Sequence, residues 1–94
     1  MTTKRESKGL LYKGSSVLIR TVTHYYTGRV KQVTPLWIVI EDAAWIADTA
    51  RFADALLKGT LNEVEPYPNG PVYIAIGAVV DICEWRHALP REQK

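Results

Sequence analysis

The chain has 94 residues, a formal net charge of +2 and a single cysteine. That length holds one domain with a modest core, for which association with further chains is a common source of stability, and the small mixed charge excludes a protein that grips nucleic acid by bulk electrostatics alone. Cys83 has no internal disulfide partner, and the longest apolar runs, 36–40 and 43–47, are too short to cross a bilayer. With no charged-then-apolar leader ahead of the first strand-like segment, the expected setting is the reducing cytoplasm, away from any membrane.

Both ends are basic: Lys4, Arg5, Lys8 and Lys13 at the start, and Arg86, His87, Arg91 and Lys94 at the finish. Each run also contains an acid, and such ends usually lie in solvent. Residues 1–14 therefore read as an N-terminal arm with a helical turn, and 86–94 as a flexible tail.

Residues 17–23, Val-Leu-Ile-Arg-Thr-Val-Thr, are rich in β-branched side chains and predict the first strand. His24, Tyr25 and Tyr26 then close that strand and turn the chain, and a second strand is expected over 29–33. Gly28, just before it, marks a bend or a close backbone approach. Thr34-Pro35 breaks the ladder, and 36–42 resume as a third strand that is apolar at consecutive positions, so both of its faces must be covered. Residues 43–47 either extend that strand or begin a helix. The favoured reading breaks at Asp48-Thr49, which would cap a helix within 48–59 carrying Phe52, Ala53, Leu56 and Leu57 and stopping at Gly59; the alternative is one helix over 42–58.

A short strand over 61–65 is expected to end in Pro-Tyr-Pro-Asn-Gly-Pro, dense in turn chemistry. The strands 72–76 and 79–85 follow, separated by Gly77-Ala78, a hairpin-like link whose glycine can take the positive φ of a tight turn. The whole is one mainly β domain: a small, strongly bent five-stranded barrel of SH3-like or OB-like type with a short helix before the last strands. Apolar residues on the outer face of those last strands, Tyr73, Ile74, Ile76, Val80 and Ile82, suggest an interface between copies, which closes into a ring if the pairing is head-to-tail.

Tyr26-Thr27-Gly28-Arg29-Val30 followed by Ile38-Val39-Ile40-Glu41-Asp42-Ala43 resembles the first signature of the Sm and Sm-like proteins, and 73–82 resembles the second. The resemblance spans most of 17–85, with 48–68 as an insertion. It implies a strongly bent five-stranded sheet after an N-terminal helix, assembled through its last two strands into a ring, and commonly a site for single-stranded uridine-rich RNA near the pore. The family's aspartate and asparagine between strands two and three fall here on Thr34 and Trp37, and its arginine-glycine pair becomes Ile76-Gly77. Uracil-edge readout loses its donors and acceptors in that pocket, although Trp37 keeps a face for stacking. A second RNA reading uses stacking on Tyr25 and Tyr26 with Arg29 and Lys31 on the phosphates.

Catalytic chemistry is not expected. His24 and His87 are the only histidines, no histidine–carboxylate or cysteine–histidine spacing is present, and Cys83 sits inside a strand as a small hydrophobe. Glu41 and Asp42 are adjacent and should point to opposite faces, which argues against a paired acid–base role. No metal spacing, cofactor motif or small-molecule site is apparent. The functions left are a non-enzymatic Sm-like protein that assembles with itself into a ring, with a divergent or absent RNA site; a single-stranded RNA-binding protein; and a structural or adaptor ring component of a larger particle, for example one of phage origin.

Overall fold

The computed structural model describes residues 12–94, so the helical turn expected in the N-terminal arm lies almost wholly outside the described residues. Among these residues six antiparallel strands form a bent, unclosed sheet: β1 (Ser16–Thr21), β2 (Tyr25–Val33), β3 (Trp37–Asp48), β4 (Glu63–Pro66), β5 (Val72–Ala75) and β6 (Val79–Glu84), with a short helix, α1 (Phe52–Lys58), between β3 and β4. The order is β4-β3-β2-β1-β6, and β5 also pairs with β3. One more strand is present than the five expected, because β4 is a full member of the sheet. The expected hairpin of the last two strands does not form: β5 pairs with β3 and β6 with β1. A 3₁₀ turn over Ile76–Ala78 links them, and Gly77 is not among the positive-φ residues.

β3 is long because residues 43–47 continue the strand. Its first half, Trp37 to Ile40, pairs with β5, and its second half, Ala44 to Asp48, pairs with β4. Between the halves Asp42 takes a φ of 51°. The β2 partner skips from Thr27↔Ala44 to Arg29↔Glu41, so two β3 residues oppose Gly28 alone; such a bulge bends the strand and increases its twist. Gly28 is required at the bend, since a Cβ there would lie 2.8 Å from Cδ1 and 3.0 Å from Cβ of Ile40. A second bulge leaves Lys31 unpaired on β2, and Val80 is the extra residue where β6 meets β1.

The bend divides the apolar side chains into two cores. Val17, Ile19, Val30, Ile38, Ile40, Ala43 and Ile74 fill one, with Val72 and Ile82 at its margin. Leu18, Ala44, Ile46, Ala55, Leu61, Val64 and Trp85 fill the other. Val17 and Leu18, adjacent on β1, point into different cores, which accounts for a strand apolar at consecutive positions. Ile74 belongs to the first core at 4% exposure and is therefore withdrawn from the outer face where the sequence placed it.

The second core needs a lid, and α1 supplies it through Phe52, Ala55 and Leu56. Leu57, expected on the same face, is 77% exposed. Arg51 is the N-cap without a side-chain bond, whereas Asp48, expected as part of the cap, accepts the Ala50 N–H and the Asn62 side-chain N–H. Gly59 ends the helix as expected, with a φ of 77° and its N–H donating to Ala55 O.

Residues 86–94, expected to be a flexible tail, are strapped across the second core. Trp85 Nε1 donates to Ala88 O at 3.1 Å, His87 Nε2 lies 2.8 Å from Leu56 O, and Arg91 donates to Ala43 O and Tyr67 O. Lys94 and Val64 exchange backbone hydrogen bonds of 2.9 Å in both directions, so the tail covers part of the outer edge of β4. The buried Trp85 and the half-buried Leu89 give this segment apolar surface to hide, which its charges conceal in the sequence.

Candidate functional site

Five of the exposed large apolar side chains gather at the end of the sheet where β2 turns into β3. Val33, Leu36, Trp37, Tyr73 and Ile76 are all exposed, Leu36 at 70% and Tyr73 at 60%. Pairing of Trp37 with Ala75 sets the Trp37 and Tyr73 rings edge to face at 6.3 Å, and the Ile76 N–H donates to Leu36 O, bringing the 3₁₀ turn against the β2–β3 turn. Thr34 shapes that turn, its Oγ1 accepting the N–H groups of Trp37 at 3.0 Å and Leu36 at 3.3 Å. Thr34, Trp37 and Gly77 are thus brought together, in an apolar ledge without a charged side chain among these residues.

This ledge flanks the free edge of β5. Among the described residues β5 pairs only with β3, and β6 only with β1, so each keeps one unpaired edge. Val80, bulged out of the β6 ladder, is 55% exposed. Charges are present on β6: Arg20 of β1 forms an ion pair with Asp81, and that bond holds the guanidinium charged above its ordinary range.

No family model, curated protein or solved structure matches the chain.

The second group of RNA candidates lies elsewhere. Tyr25 and Tyr26 belong to β2 rather than to a turn, at the end of that nine-residue strand opposite Thr34. As neighbours on a strand they face opposite ways. Tyr25 stacks on Phe52 at 5.8 Å over the second core, while Tyr26 packs near His24 at 4.6 Å and Tyr67 at 6.4 Å. Burial raises the Tyr67 hydroxyl above its usual range, with Tyr26 adding to the effect. Lys31 is exposed at its bulge. Arg29 is engaged by an ion pair with Asp42 and a longer one, 3.6 Å, with Glu41. Adjacent carboxylates were expected on opposite faces; the left-handed backbone at Asp42 lets one guanidinium meet both.

His24 and Cys83 complete the reactive inventory. The His24 ring packs near Trp45 and Tyr26, Nδ1 lies 2.7 Å from Thr23 Oγ1, and Nε2 is buried without a hydrogen-bond partner among the described residues. Desolvation lowers its pKa below 6.5. Cys83 is half-buried, and burial, reinforced by Asp81, pushes its thiol up, away from the thiolate a nucleophile requires.

Proposed function

We propose that the chain is a non-enzymatic subunit of Sm-like type that assembles with copies of itself into a ring, with a divergent or absent RNA site. One observation carries this reading: among the described residues the last two strands each keep a free edge, and the β5 edge carries no charge. Isolated edge strands are ordinarily protected by charge, proline or cover, whereas β5 reads Val-Tyr-Ile-Ala and lies beside the exposed Trp37, Tyr73 and Ile76. The β4 edge, by contrast, is partly covered by Lys94. Joining β5 of one copy to β6 of the next would satisfy both backbones and bury Tyr73, Ile76 and Val80, and a contact between two different edges is heterologous, so it closes into a ring when the rotation allows.

Light scattering coupled to size exclusion at micromolar concentration tests this. The expected mass is a fixed multiple of 10.6 kDa. A Tyr73→Glu/Ile76→Glu double variant should run as a folded monomer. A monomeric wild type would sink the proposal.

Single-stranded RNA binding is favoured by a separate observation, the partly exposed indole of Trp37 beside the Tyr73 ring, a surface on which bases can stack. Fluorescence anisotropy with oligo-uridine and oligo-adenine at two salt concentrations decides it. Absence of binding to both ends this reading, and undiminished binding by a folded, assembled Trp37→Ala variant removes Trp37 from the site.

A further inference from the structure

A second apolar surface lies beside β6. Among the described residues the exposed large apolar side chains outside the ledge are Tyr12, Leu57, Val22 and Val80, and the last two share one place. Val22, 83% exposed, sits in the turn between β1 and β2, and Val80 on the β6 bulge; both line a hollow of about 410 Å³ whose lining also includes Arg20, Thr21, Thr23 and His24. The hollow adjoins the free edge of β6, because the pairing of Thr21 with Val79 sets the end of β1 beside the start of that strand. The Thr21 hydroxyl donates to His24 O at 2.8 Å, Thr23 Oγ1 lies 2.7 Å from His24 Nδ1, Arg20 is paired with Asp81, and burial disfavours a charge on His24. An apolar side chain therefore covers Val22 and Val80 without stranding a charge.

The β5 side supplies such a side chain. Leu36 is 70% exposed, and the bond from the Ile76 N–H to its carbonyl holds it at the C-terminal end of β5. The same three-residue turn, Ile76–Ala78, joins the ledge to the start of β6, so every copy carries both halves of a head-to-tail contact. Orientation decides whether the halves meet. In an antiparallel joint the end of β5 lies beside the start of β6 in the next copy, which sets Leu36 and Ile76 against Val22 and Val80. In a parallel joint the same ledge meets the other end of β6, where Glu84 and Arg86 form an exposed ion pair. The first arrangement matches apolar surface with apolar surface, and the second presses it against charges that need water.

We propose that the hollow between the β1–β2 turn and the β6 bulge receives the ledge of a second copy of this chain, Leu36 foremost, in an antiparallel β5–β6 joint. This docking rests on self-assembly through the β5 and β6 edges and adds to it an orientation and a second contact, away from the ladder itself. Val22 and Leu36, both in turns, then belong to the interface although neither lies on a pairing strand.

The test is charge reversal across the joint, read on the full chain by light scattering coupled to size exclusion, with circular dichroism to verify folding. Leu36→Lys and Val22→Glu, each at an exposed turn position, should both shift the mass toward the 10.6 kDa monomer. The double variant Leu36→Lys/Val22→Glu should recover the oligomer, since the new charges meet across the contact. Leu36→Lys/Arg86→Glu is the matching pair for a parallel joint and should stay dissociated. Should Leu36→Lys unfold, Val22→Glu decides by itself. A monomeric wild type overturns the ring reading and this docking together. An oligomeric wild type whose mass survives Val22→Glu, or a Leu36→Lys chain rescued by Arg86→Glu and not by Val22→Glu, overturns this docking alone.

Discussion

Thr27 shows how a single atom sets a local cost. It is fully buried, opposite Leu18 and Ala44 in the register, and its Oγ1 has no hydrogen-bond partner among the described residues. An unsatisfied buried hydroxyl costs roughly 1–3 kcal/mol, and valine fills nearly the same shape without it. Thr27→Val should therefore raise stability by about 1 kcal/mol, read as a thermal midpoint several degrees higher by circular dichroism. His24 provides a pH-dependent counterpart. Burial lowers its folded pKa below 6.5, so the unfolded chain takes up the proton first. Its contribution is flat above the unfolded value, and stability falls as pH drops from there through the folded value. The thermal midpoint should decline between pH 7.5 and 5.5, and His24→Asn should decline less over the same interval.

At the scale of elements, α1 depends on its end more than on its beginning. Gly59 carries a φ of 77°, and a Cβ there would meet the His87 ring at 2.7 Å, so it serves both the helix stop and the seat of the strap. Gly59→Ala should cost more than about 1 kcal/mol, seen as a lower denaturant midpoint with an unchanged slope. This stop was legible in the sequence, as were β1, the core of β3, α1 and the break at Thr34-Pro35, because each rests on local chemistry: β-branching, proline or a left-handed glycine. Less legible was what depends on distant partners. Residues 43–47 read as the end of a strand or the start of a helix, with a break at Asp48-Thr49 favoured, and it is pairing with β4 that makes them strand. Gly77 looked like a hairpin glycine, yet β5 and β6 find β3 and β1 instead of each other. Of the candidate site, Thr34, Trp37 and Gly77 do converge, while Tyr25, Tyr26 and Arg29 are drawn into packing and ion pairs by residues far along the chain.

For the molecule as a whole, the distribution of free edges matters more than any one contact. The strap covers part of β4 through the Lys94–Val64 backbone pair, and among the described residues nothing pairs with the outer edges of β5 and β6. Removing residues 92–94 should uncover that stretch of β4. The Val64 amide, which donates to Lys94 O, should then exchange with solvent markedly faster in hydrogen-exchange measurements, while amides of the first core, such as Ile19 and Ile40, keep their rates.

The bulge opposite Gly28 and the left-handed Asp42 also constrain how the sheet can form at all. A strand pair with uniform backbone tolerates slippage by a residue at a time, and each step would turn its apolar faces inside out. Here β2 and β3 fit in one alignment, because only that one sets the residue lacking a Cβ against Ile40 and the left-handed residue at the bend. The pair therefore acts as a keyed joint to which both cores contribute side chains, Val30, Ile38 and Ile40 to the first and Ala44 and Ile46 to the second.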